Sequence, residues 1–157
     1  MTVGPPERLP FFPGSNAIAS SPDGRVIAQA MYNGYGMQDH AGGWILHPNA
    51  PRPRRVEPGV SMVHPNVSPD GKWVAFGVHM VRVQVYEAAT GRRVWQSPVG
   101  GSGSNRFSPD GRWLLTDADG GRVYAPGTWE PGVRLGPGSP SGVSPDGALV
   151  VMTTPEG

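Results

Sequence analysis

One tetrapeptide, Ser-Pro-Asp-Gly (SPDG), occurs four times in this chain, beginning at Ser21, Ser68, Ser108 and Ser144. Successive copies lie 47, 40 and 36 residues apart, which indicates an internal structural repeat. In such a turn proline presets the first central φ angle, aspartate tolerates the second position, and glycine takes the left-handed conformation that closes a hairpin with a bulge. The sequence therefore predicts the same β-hairpin turn at four places.

A strand-like run rich in β-branched and aromatic residues follows each turn. The four runs are RVIAQAM (25–31), KWVAFGV (72–78), RWLLTDA (112–118) and ALVVMTT (148–154). A second run follows in the first three repeats, most clearly in VRVQVYEAATGRRVWQ (81–96), where a turn at ATG leads into a further short strand. Each complete repeat is therefore predicted to be a strand, the SPDG turn, a strand, a loop, a strand, a turn and a strand.

The composition favours many short strands joined by tight turns. The 157 residues include 24 Gly and 19 Pro, and the hydrophobic share of 37% supplies enough apolar surface to argue against disorder. The repeat length is close to the roughly 40 to 45 residues of a four-stranded propeller blade. We predict an all-β fold of β-propeller blades, each with four antiparallel strands, about three and a half blades in number.

The predicted domain organisation is a single propeller region over residues 1–157. Its repeats are expected at approximately 16–60, 61–102, 103–140 and, as a partial repeat, 141–157, with 1–15 as the outer strand of a preceding blade. Because four blades is the usual minimum for a closed propeller, we expect an incomplete or self-assembling ring. The remaining strands would come from a second copy in a homodimer or from the remainder of a longer chain.

The stretch SPDGKWVAFGVHMVRVQVYEAATGRRVW (68–95) is similar to the turn, second strand, third strand and Thr-Gly turn of the WD-repeat β-propeller family. Asp119, in DADGG, stands where many members carry the aspartate before the third strand. The stretch SPDGRWLLTDADGGRVYAPGTWEPGVRLGPG (108–138) resembles the repeats attached to bacterial serine/threonine protein kinases. The repeats are divergent, because the name-giving Trp-Asp pair is replaced by Leu46-His47, Tyr86-Glu87 and Tyr124-Ala125.

This resemblance implies a non-catalytic module for protein–protein interaction or scaffolding, in the cytoplasm, within a larger bacterial regulatory or kinase-linked protein. The sequence contains neither a GxGxxG loop nor a His-Arg-Asp loop, so we expect no kinase catalytic residues and no enzyme activity. Propellers of bacterial Tol systems and of prolyl-oligopeptidase-type peptidases use similar turns. Part of a propeller hydrolase or of a peptidase-associated propeller therefore stays open as the alternative.

Charge and residue types argue against several other classes of site. The net charge is +1 without large charged blocks, so no nucleic-acid partner is expected. The absence of cysteine excludes disulfides and thiolate metal sites. No metal, cofactor or membrane span is predicted, because no metal-like ligand spacing, P-loop or run of about 20 apolar residues occurs. His47 and His64 are predicted to be structural histidines on strands.

The loop of the first repeat, YNGYGMQDHAGG (32–43), is longer than its counterparts and rich in amphipathic side chains, which favour recognition surfaces. His79 lies in the corresponding loop of the second repeat. A variable surface loop without a partner is the other interpretation. The residues predicted to contact a protein or peptide partner are Tyr32, Asn33, Tyr35, Met37, His40 and His79.

Overall fold

The structure is a computed structural model that describes residues 17–32 and 41–154. These residues form four antiparallel sheets in sequence order. Sheet 1 contains β1 (Ala17–Ser20), β2 (Ile27–Met31), β3 (Gly42–Leu46) and β4 (Arg54–Val56). Sheet 2 contains β5 (Met62–Val67), β6 (Trp73–Val78), β7 (Arg82–Glu87) and β8 (Arg93–Gln96). Sheet 3 contains β9 (Asn105–Phe107), β10 (Leu114–Thr116), β11 (Arg122–Tyr124) and β12 (Pro131–Arg134). Sheet 4 contains β13 (Ser139–Val143) and β14 (Val150–Thr153).

The strands of each sheet follow one another as neighbours, so each strand pairs antiparallel with the next strand along the chain. The prediction of an all-β fold built from short antiparallel strands is confirmed. A turn of 3-10 helix at Ala118–Gly120 interrupts the connection between β10 and β11. In the part of the chain that the structure describes, no helix has the length and apolar character needed to span a bilayer.

Each SPDG turn closes the hairpin between the first two strands of a sheet, as the sequence predicted. In the third copy the Gly111 amide donates to the Ser108 carbonyl at 2.9 Å, and Gly111 has φ of 73°. The Ser108 hydroxyl donates to Asp110 Oδ1 at 2.6 Å and accepts a hydrogen bond from the Trp113 amide at 3.0 Å. The same two serine bonds recur in the other three turns, so the serine fixes the turn together with the proline, aspartate and glycine.

Consecutive sheets pack against each other, and the first strand of each sheet contacts the first strand of the next: β1 with β5, β5 with β9, and β9 with β13. Between sheets 1 and 2, Ala28 and Ala30 share a fully buried cluster with Val74 and Phe76. β6, the second strand of sheet 2, carries buried side chains on both faces, because sheet 1 lies on one side of it and sheet 3 on the other. The cluster between sheets 2 and 3 contains Ala75, Val83, Val85, Phe107 and Leu114.

Sheet 4 differs from the others in its exposure. Leu149 is 70% exposed and Val151 is 61% exposed, and the two lie on the same face because they are two residues apart in an extended segment. The corresponding residues of sheet 2, counted from the turn glycine, are Trp73 and Ala75, which pack within the cluster shared with sheet 3. One apolar face of sheet 4 is therefore open to solvent.

Candidate partner-binding surface

The strands alternate in direction, so each sheet has two ends that carry different connections. One end carries the SPDG turns. The other, here called the loop end, carries the loops between second and third strands and the segments that lead into the next sheet. Backbone hydrogen bonds tie neighbouring sheets together at the loop end: the Met80 amide after β6 donates to the Ser102 carbonyl before β9, at 3.2 Å.

Two of the predicted contact residues meet at the loop end. Tyr32 immediately follows β2 and His79 immediately follows β6, so they occupy the same place in successive sheets. Their rings contact edge to face, with centroids 4.8 Å apart and planes at 65°. His79 is exposed and Tyr32 is half-buried, and the His79 amide donates to the Ser61 carbonyl at 3.0 Å. The predicted residues Asn33, Tyr35, Met37 and His40 lie outside the described residues.

Met80 extends this surface and was not singled out from the sequence. Its side chain is 67% exposed and its φ is 57°, a left-handed conformation that is uncommon for a residue other than glycine. The Val81 amide donates to the Val78 carbonyl at 2.9 Å, which closes a tight turn around His79 and Met80. A methionine at the tip of a turn, where a polar residue is usual, is the sequence signal that marks it.

The half-buried carboxylate of Asp117 lies further along the loop end, between sheets 3 and 4. Asp117 Oδ2 accepts hydrogen bonds from both the amide and the hydroxyl of Ser102, each at 2.6 Å. The Ser102 and Ser104 hydroxyls are 3.1 Å apart, and Ser104 Oγ lies 3.5 Å from His64 Nδ1. Asp117 also lines a cavity of about 440 Å³ together with Thr153. The polar groups at this end therefore form one connected series rather than isolated side chains.

Asp119, at the place of the family's aspartate, is engaged by two arginines. Its carboxylate lies 3.0 Å from Arg122 Nε and 3.2 Å from Arg134 Nη2. These contacts tie the turn before β11 to β11 itself and to β12, so this side chain has a local structural role. Within residues 17–32 and 41–154, no group of three or more His, Asp or Glu side chains is arranged to hold a metal ion.

Comparison with known proteins leaves the family of this chain open and identifies its fold among solved structures. No protein-family model matches the sequence. No curated protein matches it either. Among the solved structures that match is Kuenenia stuttgartiensis hydrazine synthase, with a TM-score of 0.66 over 98% of this chain at 20% identity. The match spans 46% of that chain, so this protein corresponds to about half of it. At this identity the likeness shows a shared fold and nothing about activity.

Proposed function

We propose that the chain is a non-catalytic, WD-repeat-like propeller module that binds a protein or peptide partner at its loop end. The observation that carries this proposal is the surface formed by Tyr32, His79 and Met80, where the Tyr32 ring meets the His79 imidazole across two sheets and the exposed Met80 side chain follows in the same turn. Aromatic residues and methionine are enriched where proteins bind each other. Methionine in particular adapts its shape to different partners.

The arrangement of the sheets supports the propeller part of the proposal. First strands lie beside first strands throughout the series, and the first strands of all four sheets line one common cleft. Four-stranded meanders around a common centre are the architecture of propeller blades. A scaffolding role in the cytoplasm, within a larger bacterial regulatory or kinase-linked protein, rests on the sequence resemblance alone.

A second copy of the chain is the partner that we propose for sheet 4. The open face with Leu149 and Val151 corresponds to the face of sheet 2 that sheet 3 covers. An equivalent sheet from another copy would continue the same face-to-face packing that joins the four sheets. This contact and the loop-end surface use different residues, so each can be tested without the other.

A selection with random peptides tests the loop-end proposal. The chain is immobilised, a phage library of random peptides is passed over it, and enriched peptides are measured by fluorescence anisotropy. We expect His79→Ala and Met80→Ser each to weaken binding about tenfold, the loss typical of a central contact residue. Val133→Ser is the matched control, because Val133 is 72% exposed on the outer strand β12.

The outcomes separate clearly. Enrichment of related peptides whose affinity depends on His79 and Met80 but not on Val133 supports the proposal. Failure to enrich any peptide family, or equal losses for all three variants, contradicts it. Circular dichroism of each variant confirms that a lost affinity does not come from unfolding.

A further inference from the structure

A polar cleft lies where the first strands of the four sheets converge. Its volume is about 290 Å³, near the lower end of the range for small-molecule sites. β1 contributes apolar side chains, whereas the polar lining comes from β5, from β9 with the residue before it, and from β13. Its polar members are His64, Asn66, Ser104, Asn105, Arg106 and Ser141, with Ser139 at the start of β13.

Two asparagines in the cleft hold the first strands together. Asn105 Nδ2 donates to the His64 carbonyl at 2.8 Å, and the Phe107 amide donates to Asn66 Oδ1 at 3.1 Å. A bulge in β5 between Val63 and Asn66 makes room for these bonds, and His64 within it has φ of 47°. Asn105 Nδ2 and Asn66 Oδ1 are therefore used by the structure, Asn105 Oδ1 is buried without a hydrogen-bond partner, and the exposed His64 lines the cleft.

Arg106 is the charged group of the cleft that the fold does not use. It lies two residues before the turn serine, the place that Asn66 occupies in sheet 2, yet its exposed side chain makes no hydrogen bond or ion pair within the described part of the chain. Several other arginines are paired: Arg93 lies 2.8 Å from Glu57 and the Arg112 guanidinium contacts a carboxylate at 2.5 Å. None of the described lining residues is acidic.

We propose that this cleft binds a small oxyanion, a carboxylate or phosphate group, with the guanidinium of Arg106 as its principal donor. A guanidinium presents two parallel N–H groups that match the oxygens of either group, and such charge-assisted bonds are stronger than neutral ones. The hydroxyls of Ser104 and Ser141 and the imidazole of His64 supply further polar contacts in the same space.

The surroundings of the cleft favour an anion over a cation. The carboxylate in the neighbouring polar series, that of Asp117, lies behind Ser102 and Ser104 and accepts both Ser102 hydrogen bonds, so it does not line the cleft. The Asn66 side chain links β5 with β9, but the Arg106 side chain makes no equivalent bond between β9 and β13. A bound oxyanion would complete the hydrogen bonding of Arg106 and would link these two strands. The site is distinct from the Tyr32, His79 and Met80 surface.

Titrations of the whole chain with three salts test the inference. Sodium succinate supplies carboxylates, sodium phosphate supplies inorganic phosphate, and sodium chloride at matched ionic strength corrects for screening, with binding followed by amide NMR shifts of the cleft residues. We expect saturable shifts with succinate or phosphate and none with chloride. Arg106→Ala should weaken binding about tenfold, and Arg106→Lys should weaken it less because the charge remains without the planar fork.

Arg52→Ala is the matched control, because Arg52 is an exposed arginine in the connection between β3 and β4, outside the cleft. Unchanged binding by this variant and by Met80→Ser would locate the oxyanion in the cleft, independently of peptide binding. Preference for one salt identifies which oxyanion group the cleft takes. Absence of saturable shifts in the folded wild-type chain, or equal losses for Arg106→Ala and Arg52→Ala, would overturn the inference.

Discussion

The buried serine of an SPDG turn should stabilise the fold far more than the half-buried serine of the same motif, whose hydrogen bonds are exposed. Ser108 is 1% exposed, and its hydroxyl both donates to Asp110 and accepts from the Trp113 amide. Ser144 makes the same two bonds, to Asp146 and from the Leu149 amide, but there both bonds are open to solvent. Substitution of each serine by alanine therefore removes identical chemistry from two different environments.

The expected magnitudes follow from solvent access. Each of the two part-buried hydrogen bonds of Ser108 contributes about 0.5–1.5 kcal/mol, and alanine also leaves the Trp113 amide without its partner, so Ser108→Ala should lower the free energy of unfolding by about 2 kcal/mol. Water replaces the lost hydroxyl in the sheet 4 turn, so Ser144→Ala should cost less than about 0.5 kcal/mol. Unfolding free energies of domains are about 5–15 kcal/mol, so the first loss is readily measured.

Urea unfolding followed by tryptophan fluorescence measures both values. Ser108→Ala should lower the midpoint by about 1 M at an unchanged slope, and Ser144→Ala should leave it within error. Ser68→Ala, in a turn whose serine is 2% exposed, should behave like Ser108→Ala. Equal losses at Ser108 and Ser144 would refute the reasoning, because they would show that burial does not determine the contribution of this bond.

Three further perturbations probe packing, titration and assembly. Gly77→Ala should destabilise the folded chain by about 3 kcal/mol in thermal melts, because the new Cβ would overlap the Gly103 carbonyl before β9. Gly142→Ala should be nearly neutral, because a Cβ there would make only ordinary contacts. The reverse order of stabilities would contradict the packing. Hydrogen bonds from the Ser108 hydroxyl, the Arg112 amide and the Arg112 guanidinium lower the pKa of Asp110 to about 2. The stability that these bonds provide should therefore be complete above a pH of about 4 and lost as the pH falls through 2. Urea midpoints that stay constant over this range, or that fall equally in Asp110→Asn, would count against it. Light scattering of the wild-type chain should give the mass of a dimer, and the double variant Leu149→Ser, Val151→Ser should give the mass of a monomer. A wild-type monomer at every concentration would exclude self-association through sheet 4.

The sequence located the turns and the strand order because both depend on residues that are adjacent in the chain. Proline, aspartate and glycine restrict the backbone of the turn directly, and the paired serine bonds span at most five residues. The limits of sheet 4 were harder to place: β13 begins at Ser139, before the predicted start of the fourth repeat at residue 141. A segment with several prolines and glycines gives little alternation from which to read a boundary.

The candidate sites depended on contacts that the sequence does not encode locally. The pairing of Tyr32 with His79 joins two sheets, and so does the bond from Phe107 to Asn66. His64 was predicted as a structural histidine on a strand; it lies on β5 as expected, but the bulge leaves its side chain exposed in the cleft. A bulge adds one residue to one strand only, and single-sequence periodicity does not reveal which strand receives it.

By itself the sequence determined a series of similar antiparallel units, because each unit is specified by hydrogen bonds and φ preferences within a few residues. The tertiary structure alone decided that Arg106 is unpaired in a shared cleft while Asn66, at the same repeat position, bonds to the next sheet. Equivalent positions have different roles because the offset between neighbouring sheets, together with side-chain length, determines which groups meet. That offset arises only when the sheets pack.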